Sequence, residues 1–274
     1  MSNNRLLLRL LPILIAVVLV FFQWFSAERF VNEAGRSAKM GLSRGKEASL
    51  GLQAYQDVLR QSDVLASGPD VDMVHRCAER LAHATGDSGS TFKWEVTVVR
   101  SSQVNAFCLP GGKIVVYTGI LPVARTETGL AVVMGHEMAH ATLRHGSERM
   151  FQQQAANTIL TGVSFTLGDM NYQQRRAVMG VLGAGAQYGV LNPFSRQHES
   201  EADAIGLKYM AKAGYDPREA ITFWQRMSSA SAGKAPAEIL STHPSDATRI
   251  KQLEDLLPQV LPLYNQAAKA PLLR

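Results

Sequence analysis

The chain is poor in cysteine: it has two in 274 residues, Cys77 and Cys108, and none in its first 76 positions. That excludes a lipid-modified cysteine as an amino-terminal anchor, and it limits the covalent cross-links to a single possible disulfide, Cys77 to Cys108. Two buried free thiols are the alternative. The chain also lacks runs of basic residues. Its formal net charge is +5, yet no basic cluster is longer than Arg175-Arg176 and no aromatic ladder accompanies the cations. A nucleic-acid partner is therefore not expected, and the basic excess reads as solvated surface that can meet anionic lipid. No internal repeat is present, and no helical-repeat array follows residue 255, so one folded domain is expected.

Long apolar runs are also few. Leu6 to Phe25 is interrupted only by Arg9 and Gln23 and is long enough to cross a hydrocarbon layer. Arg5 and Arg9 precede most of it, which favours an amino terminus in the cytoplasm and a body on the exported, periplasmic or equivalent, side. Cleavage after Ala27 would leave bulky Phe25 three residues before the cut, so an uncleaved membrane anchor is expected; a cleaved signal with a secreted product is the alternative. The expected organisation is residues 1–27 as anchor or signal, 28–47 as a tether or weak helix, 48–258 as one folded domain and 259–274 as a tail.

What is present is more specific. His136-Glu137-Met138-Ala139-His140 on a helix puts two imidazoles roughly 40° apart around the axis, with Glu137 about 100° to one side of His136. That is the pattern of a catalytic zinc site, with Glu137 able to reach the reacting water. Thr126 or Thr128 can cap such a helix, Leu130, Val133, Met134, Met138 and Ala141 can bury it, and Gly146 can stop it. A third ligand must come from elsewhere. In Asn192 to Asp203, a helix with Pro193 at its first position, Glu199 and Asp203 share a face while Glu201 points away. Glu199 is the expected third ligand, with Glu201 the weaker candidate. Asp203 is expected to accept a hydrogen bond from the outer nitrogen of a ligand histidine.

Together these segments resemble the family-48 metallopeptidases of the gluzincin group. The similarity runs over roughly residues 45 to 255 and is carried by Asn105 to Gly112, by Gly135 to His140, and by Ser195-Arg196 leading into Glu199, Ala202 and Asp203. The resemblance implies an α+β, mostly helical, zincin-like domain with a small antiparallel sheet beside the H-E-x-x-H helix. It also implies one zinc ion on His136, His140 and Glu199, Glu137 as catalytic acid and base, and Arg196 and Asp203 around the ligands. Cys108 departs from the small or apolar residue usual in relatives.

Around the site, helices are expected at about 48–66 and 70–84, separated by Ser67-Gly68-Pro69-Asp70. Phe92 to Val98 alternates as a half-buried strand, and Ala106 to Leu109 with Lys113 to Thr118 reads as a hairpin. Its edge at Asn105, Ala106 and Phe107 can take up a polypeptide as an added strand. Met150 to Leu191 reads as two helices covering the active site and falls short of two further membrane spans. His243, in Leu240 to Asp246, is a candidate for stabilising an oxyanion or occupying the open zinc position. The function so implied is metal-dependent hydrolysis of misfolded or membrane-associated polypeptides in envelope quality control. The alternative is an exported-side chaperone or assembly factor with weak peptidase activity.

Overall fold

In the computed structural model, residues 3–187, 191–231, 239 and 247–267 are described. They divide into two compact units: residues 1–31, 36–43 and 145–198 form one, and residues 32–35, 44–144 and 199–274 the other.

The first unit holds α1 (Asn3–Ser26), strands β1 (Glu28–Val31) and β2 (Ser37–Met40), α6 (His145–Thr166) and α7 (Tyr172–Ala186). The stretch 28–47, expected as a tether, contains the β1–β2 antiparallel hairpin instead, with Glu28 opposite Met40 and Val31 opposite Ser37. Its sequence signal is weak, because Ala38 and Met40 are its only buried apolar side chains. Arg36 forks onto Glu148 of α6 with two contacts of 2.6 Å, and Glu148 also meets His198 Nε2 at 3.0 Å. His198 stacks on His145 with ring centres 4.2 Å apart.

The second unit carries the sheet and the rest of the helices: α2 (Arg44–Arg60), β3 (Val64–Leu65), α3 (Pro69–Ala84), β4 (Glu95–Val99), β5 (Ala106–Leu109), β6 (Lys113–Tyr117), a short α4 (Leu121–Ala124), α5 (Glu127–Thr142), α9 (Glu219–Ser231) and α10 (Ala247–Ala267). Helix α8 (Asn192–Lys212) contributes Glu199 onward.

The mostly helical fold with a small sheet is as expected, but the sheet is mixed. Its order is β3-β4-β6-β5, and β4 runs parallel to β6 while the other two pairings are antiparallel. The reason lies in β6, whose residues Lys113 to Val116 are all buried. A near-continuous apolar run marks a central strand rather than one arm of a two-stranded ribbon. It takes β4 on one side and leaves β5 at the edge. The tail begins later than expected as well, since α10 continues through Pro258 to Ala267 with Val260 buried in the core.

Helix α5 is the centre of this unit. Thr126 Oγ1 accepts from Gly129 N at 3.1 Å to cap it, and every side chain from Leu130 to Ala139 is buried. Its end differs from expectation. Gly146 lies inside α6, and the chain turns instead at Arg144, a non-glycine residue with φ 59°. The cost of that left-handed conformation is offset by a buried ion pair, Arg144 Nη2 to Glu47 Oε1 at 2.5 Å, with Nε 3.1 Å from both carboxylate oxygens. Arg144→Ala leaves Glu47 buried without its cation, and a loss of about 3–5 kcal/mol is expected from the denaturant midpoint.

The candidate disulfide is absent, and both cysteines are free. Cys77 Sγ on α3 contacts Glu127 O at the start of α5, 3.9 Å away, whereas Cys108 on β5 lies within the field of Glu137. Ten residues along a helix separate those two neighbours by about 15 Å, against the roughly 7 Å limit on Cα separation in a disulfide. Burial pushes the Cys77 thiol up to about 12. Unreduced protein denatured in iodoacetamide should therefore gain the mass of two adducts, and a native reaction at Cys77 should be slow by mass spectrometry.

Candidate metal centre

His136 and His140 sit one turn apart on α5, and Glu199 lies on α8. The helices are brought together by glycine. A Cβ built on Gly206 of α8 would meet His136 N at 2.9 Å and Gly135 C at 3.0 Å, and one built on Gly135 would meet Gly206 O at 3.1 Å. Two backbones touching at this point place the two preceding turns of α8, with Asp203 and Glu199, against the histidine face of α5.

The three ligand candidates then converge. His136 Nε2 is 3.1 Å from His140 Nε2 and 3.3 Å from Glu199 Oε2, and His140 Nε2 is 3.4 Å from Glu199 Oε1. Donors bound about 2.0–2.1 Å from one ion at tetrahedral angles lie about 3.3 Å apart, so the nitrogen and carboxylate set fits a single zinc ion. The two histidines meet different oxygens of Glu199, which leaves one carboxylate rotation to settle when an ion is held.

His136 is ordered from behind. Its Nδ1 is 2.9 Å from Asp203 Oδ1, so an Nδ1–H donor leaves the Nε2 lone pair aimed at the ligand triangle. Asp203 in turn accepts from Arg249 of α10, Nε at 2.8 Å and Nη2 at 2.6 Å. The guanidinium lies flat on Trp224 of α9, 3.6 Å from the ring centre, and the Trp224 ring stands edge-on to His136 at 5.9 Å. All four side chains are buried.

Charge follows from this cage. Burial and Arg249 oppose a proton on His136, but Asp203 and Glu199 outweigh them and lift its pKa to about 9. Burial likewise opposes charge on Asp203, and Arg249 with His136 overcomes it to hold the carboxyl below its ordinary range.

Glu137, only 4% exposed, leaves α5 on a different side. It lies close enough to Cys108 of β5 for its charge, after burial, to raise that thiol. The catalytic carboxylate candidate thus lies near the edge strand that carries Cys108, close enough for its charge to be felt at the thiol. On that strand Ala106 pairs with Val116 and Phe107 with Val115, and Asn105 O accepts from Tyr117 N at 3.1 Å. Val104 O, one residue earlier, is met by Ile239 N at 3.5 Å.

The chain's central 189 residues, 69–257, match the model of peptidase family M48. The chain belongs to that family. Relatives include the mitochondrial metalloendopeptidase OMA1 of Schizosaccharomyces pombe, 36% identical over 241 residues covering 86% of this chain and 68% of the relative. The Saccharomyces cerevisiae OMA1 is 30% identical, over 85% of this chain and 70% of its own length. The beta-barrel assembly-enhancing protease of Escherichia coli K12 is 28% identical, over 89% of this chain but only 51% of its own. This M48 member is accordingly a hydrolase of peptide bonds, and its His-His-Glu cluster is suited to a metal.

Sequence reasoning placed His136, His140, Glu199 and Asp203 together, and the structure brings those four into one cluster. Glu201 points elsewhere, accepting from Asn32 Nδ2 at 2.9 Å. Arg196 is exposed, and the guanidinium that meets Asp203 is that of Arg249. His243 lies outside the described residues. Arg249 and Trp224 were missed. The available signal was position: Leu253 and Val260 define the buried stripe of α10, and stepping back four residues from Leu253 lands a charge, Arg249, where an apolar side chain belongs.

Two outcomes follow from this geometry. Gly206→Leu must force α8 from α5, and bound metal measured by atomic absorption should fall by at least about tenfold while most helical circular dichroism remains. In chelator-treated protein His136 titrates near 9 when folded and near its ordinary 6.5 when unfolded. Its stabilising contribution is therefore complete below 6.5 and lost as pH rises through 9, so the urea midpoint should drop across that interval. Metal-loaded protein should not show that drop.

Proposed function

We propose that this chain is a zinc metalloendopeptidase in which His136, His140 and Glu199 hold the ion and Glu137 is general base and then general acid. The observation that carries the reading is the 3.1, 3.3 and 3.4 Å triangle of donor atoms with a buried carboxylate one residue from its first corner. Zinc held by these three residues would supply Lewis acidity, polarising a peptide carbonyl and acidifying water near neutral pH. Glu137 takes that proton at its carboxylate as water attacks, and delivers it to the departing amine nitrogen. Asp203 fixes the His136 tautomer, and Arg249 fixes Asp203, so the ligand face does not rotate. The outer edge of β5 lays an extended polypeptide beside Glu137 through main-chain hydrogen bonds. His243 is the residue proposed to assist the developing oxyanion.

Helix α1 is the proposed membrane anchor. Eighteen residues, Arg9–Ser26, are long and apolar enough to cross a bilayer, and Leu14, Phe21, Phe22 and Phe25 are exposed along it. With the arginines at its start on the cytoplasmic side, the peptidase faces the exported side and acts on misfolded or membrane-associated proteins.

Glu137→Gln should retain one zinc per chain and lose about 10²-fold or more of casein hydrolysis, whereas His136→Ala, His140→Ala and Glu199→Ala should lose the metal itself. Wild-type cleavage should stop with phenanthroline and return on zinc addition. Full activity in Glu137→Gln would remove the assignment.

A further inference from the structure

We propose that α6 and α7 form a helical hairpin that enters the bilayer beside α1, with its tip at the membrane face where Arg9 lies. This rests on the reading of α1 as an anchor and extends it to residues whose composition did not predict a span.

The register of α6 against α1 carries the argument. At one end the Phe151 ring lies 5.9 Å from that of Trp24. Farther along, Gly162 is pressed so close to α1 that a Cβ there would meet Ala16 Cβ at 2.6 Å and Pro12 O at 2.8 Å. Just past the end of α6, Asp169 pairs with Arg9. Residues 151 to 169 thus descend alongside residues 24 to 9. Each run of fifteen helical residues covers about 22 Å, so α6 occupies the depth that α1 occupies. Helix α7 comes back up: Leu182 and Ala186 line an apolar groove with Val20, Trp24 and Phe151.

Composition agrees once depth is assigned this way. No charged residue lies between Arg149 and Asp169, or between Arg176 and Arg196. The charges gather at the tip, Asp169, Arg175 and Arg176 with Arg9, as the positive-inside rule requires of the side holding the amino terminus. Gln152, Gln153 and Gln154 fall level with Trp24, a residue type that marks the interface. Deeper hydroxyls are internally bonded: Thr158 donates to Gln154 O at 2.9 Å and Thr166 to Gly162 O at 3.1 Å. Asn157 and Thr161 line the groove opposite Leu11, Ile15 and Leu19 of α1.

Water is a poor medium for this hairpin. None of the fifteen residues of α7 is buried, and Val181 is 73%, Phe165 of α6 68% and Tyr172 76% exposed. Gly180, Gly183 and Gly185 each weaken an aqueous helix relative to alanine, and a Cβ built at any of them would meet nothing within 4 Å. In hydrocarbon the balance reverses, because the backbone must satisfy its own hydrogen bonds and helix is the means.

The test uses full-length protein carrying Cys77→Ala and Cys108→Ala, with one new cysteine at Leu14, Phe165, Val181 or Gln61, labelled with an environment-sensitive fluorophore. These side chains are exposed, so the label displaces no packing. In liposomes of phosphatidylethanolamine and phosphatidylglycerol, lipids brominated deep in the acyl chains should quench most of the signal at Leu14, Phe165 and Val181, and iodide should quench only Gln61. Quenching by bromolipid at Leu14 with iodide access at Phe165 and Val181 would overturn the hairpin and leave the anchor standing. Iodide access at Leu14 would overturn the anchor, and the hairpin with it.

Discussion

The site depends on two glycines meeting. Gly135 and Gly206 let the backbones of α5 and α8 touch, and any side chain at Gly206 would fall within about 3 Å of the main chain of α5. Only at that spacing can a carboxylate from one helix share a centre with two imidazoles from the other. The ligands supply the chemistry, but the distance between them is set by the absence of two methyl groups. Helix α5, buried nearly all round, cannot shift to compensate for a bulkier neighbour.

Around that contact the second unit keeps buried charges with partners of opposite sign, Arg144 with Glu47 and Arg249 with Asp203. Such pairs seldom add much net stability over apolar replacements, but losing one member is expensive. Their value lies in geometry. Arg144 holds a left-handed turn at the end of the histidine helix, and Arg249 holds the carboxylate that orients a histidine. A buried ion pair tolerates few alternative arrangements, and both pairs sit where an alternative would move a ligand.

Much of this was legible in the sequence, and the limits have physical causes. Contacts four residues apart on a helix are fixed by helical geometry, which is why His136 with His140 and Glu199 with Asp203 could be read directly. Thr126 as a cap is a local interaction and was equally readable. Strand direction is not local: Ile114 to Val116 reads as a strand in any arrangement, burial on both faces marks it as central, and its register with β4 shows the pairing to be parallel. Arg249 is more than 40 residues beyond Asp203, so nothing in its own segment announces the partner. The apolar stretch from Met150 to Leu191 falls short of a span by composition, and its register against α1 emerges only when Trp24 and Arg9 are known to lie at the two ends of its first half.

The place of Arg249 in the chain has a temporal consequence. A ribosome delivers the histidines and both carboxylates before it delivers α10, so for that interval Asp203 must enter a low-dielectric interior with no guanidinium to receive it. The most favourable response is to stay hydrated and keep α8 loosely docked. A nascent polypeptide halted before α10 thus carries every ligand without a rigid frame to present them, and competence waits on a helix that emerges after all of them.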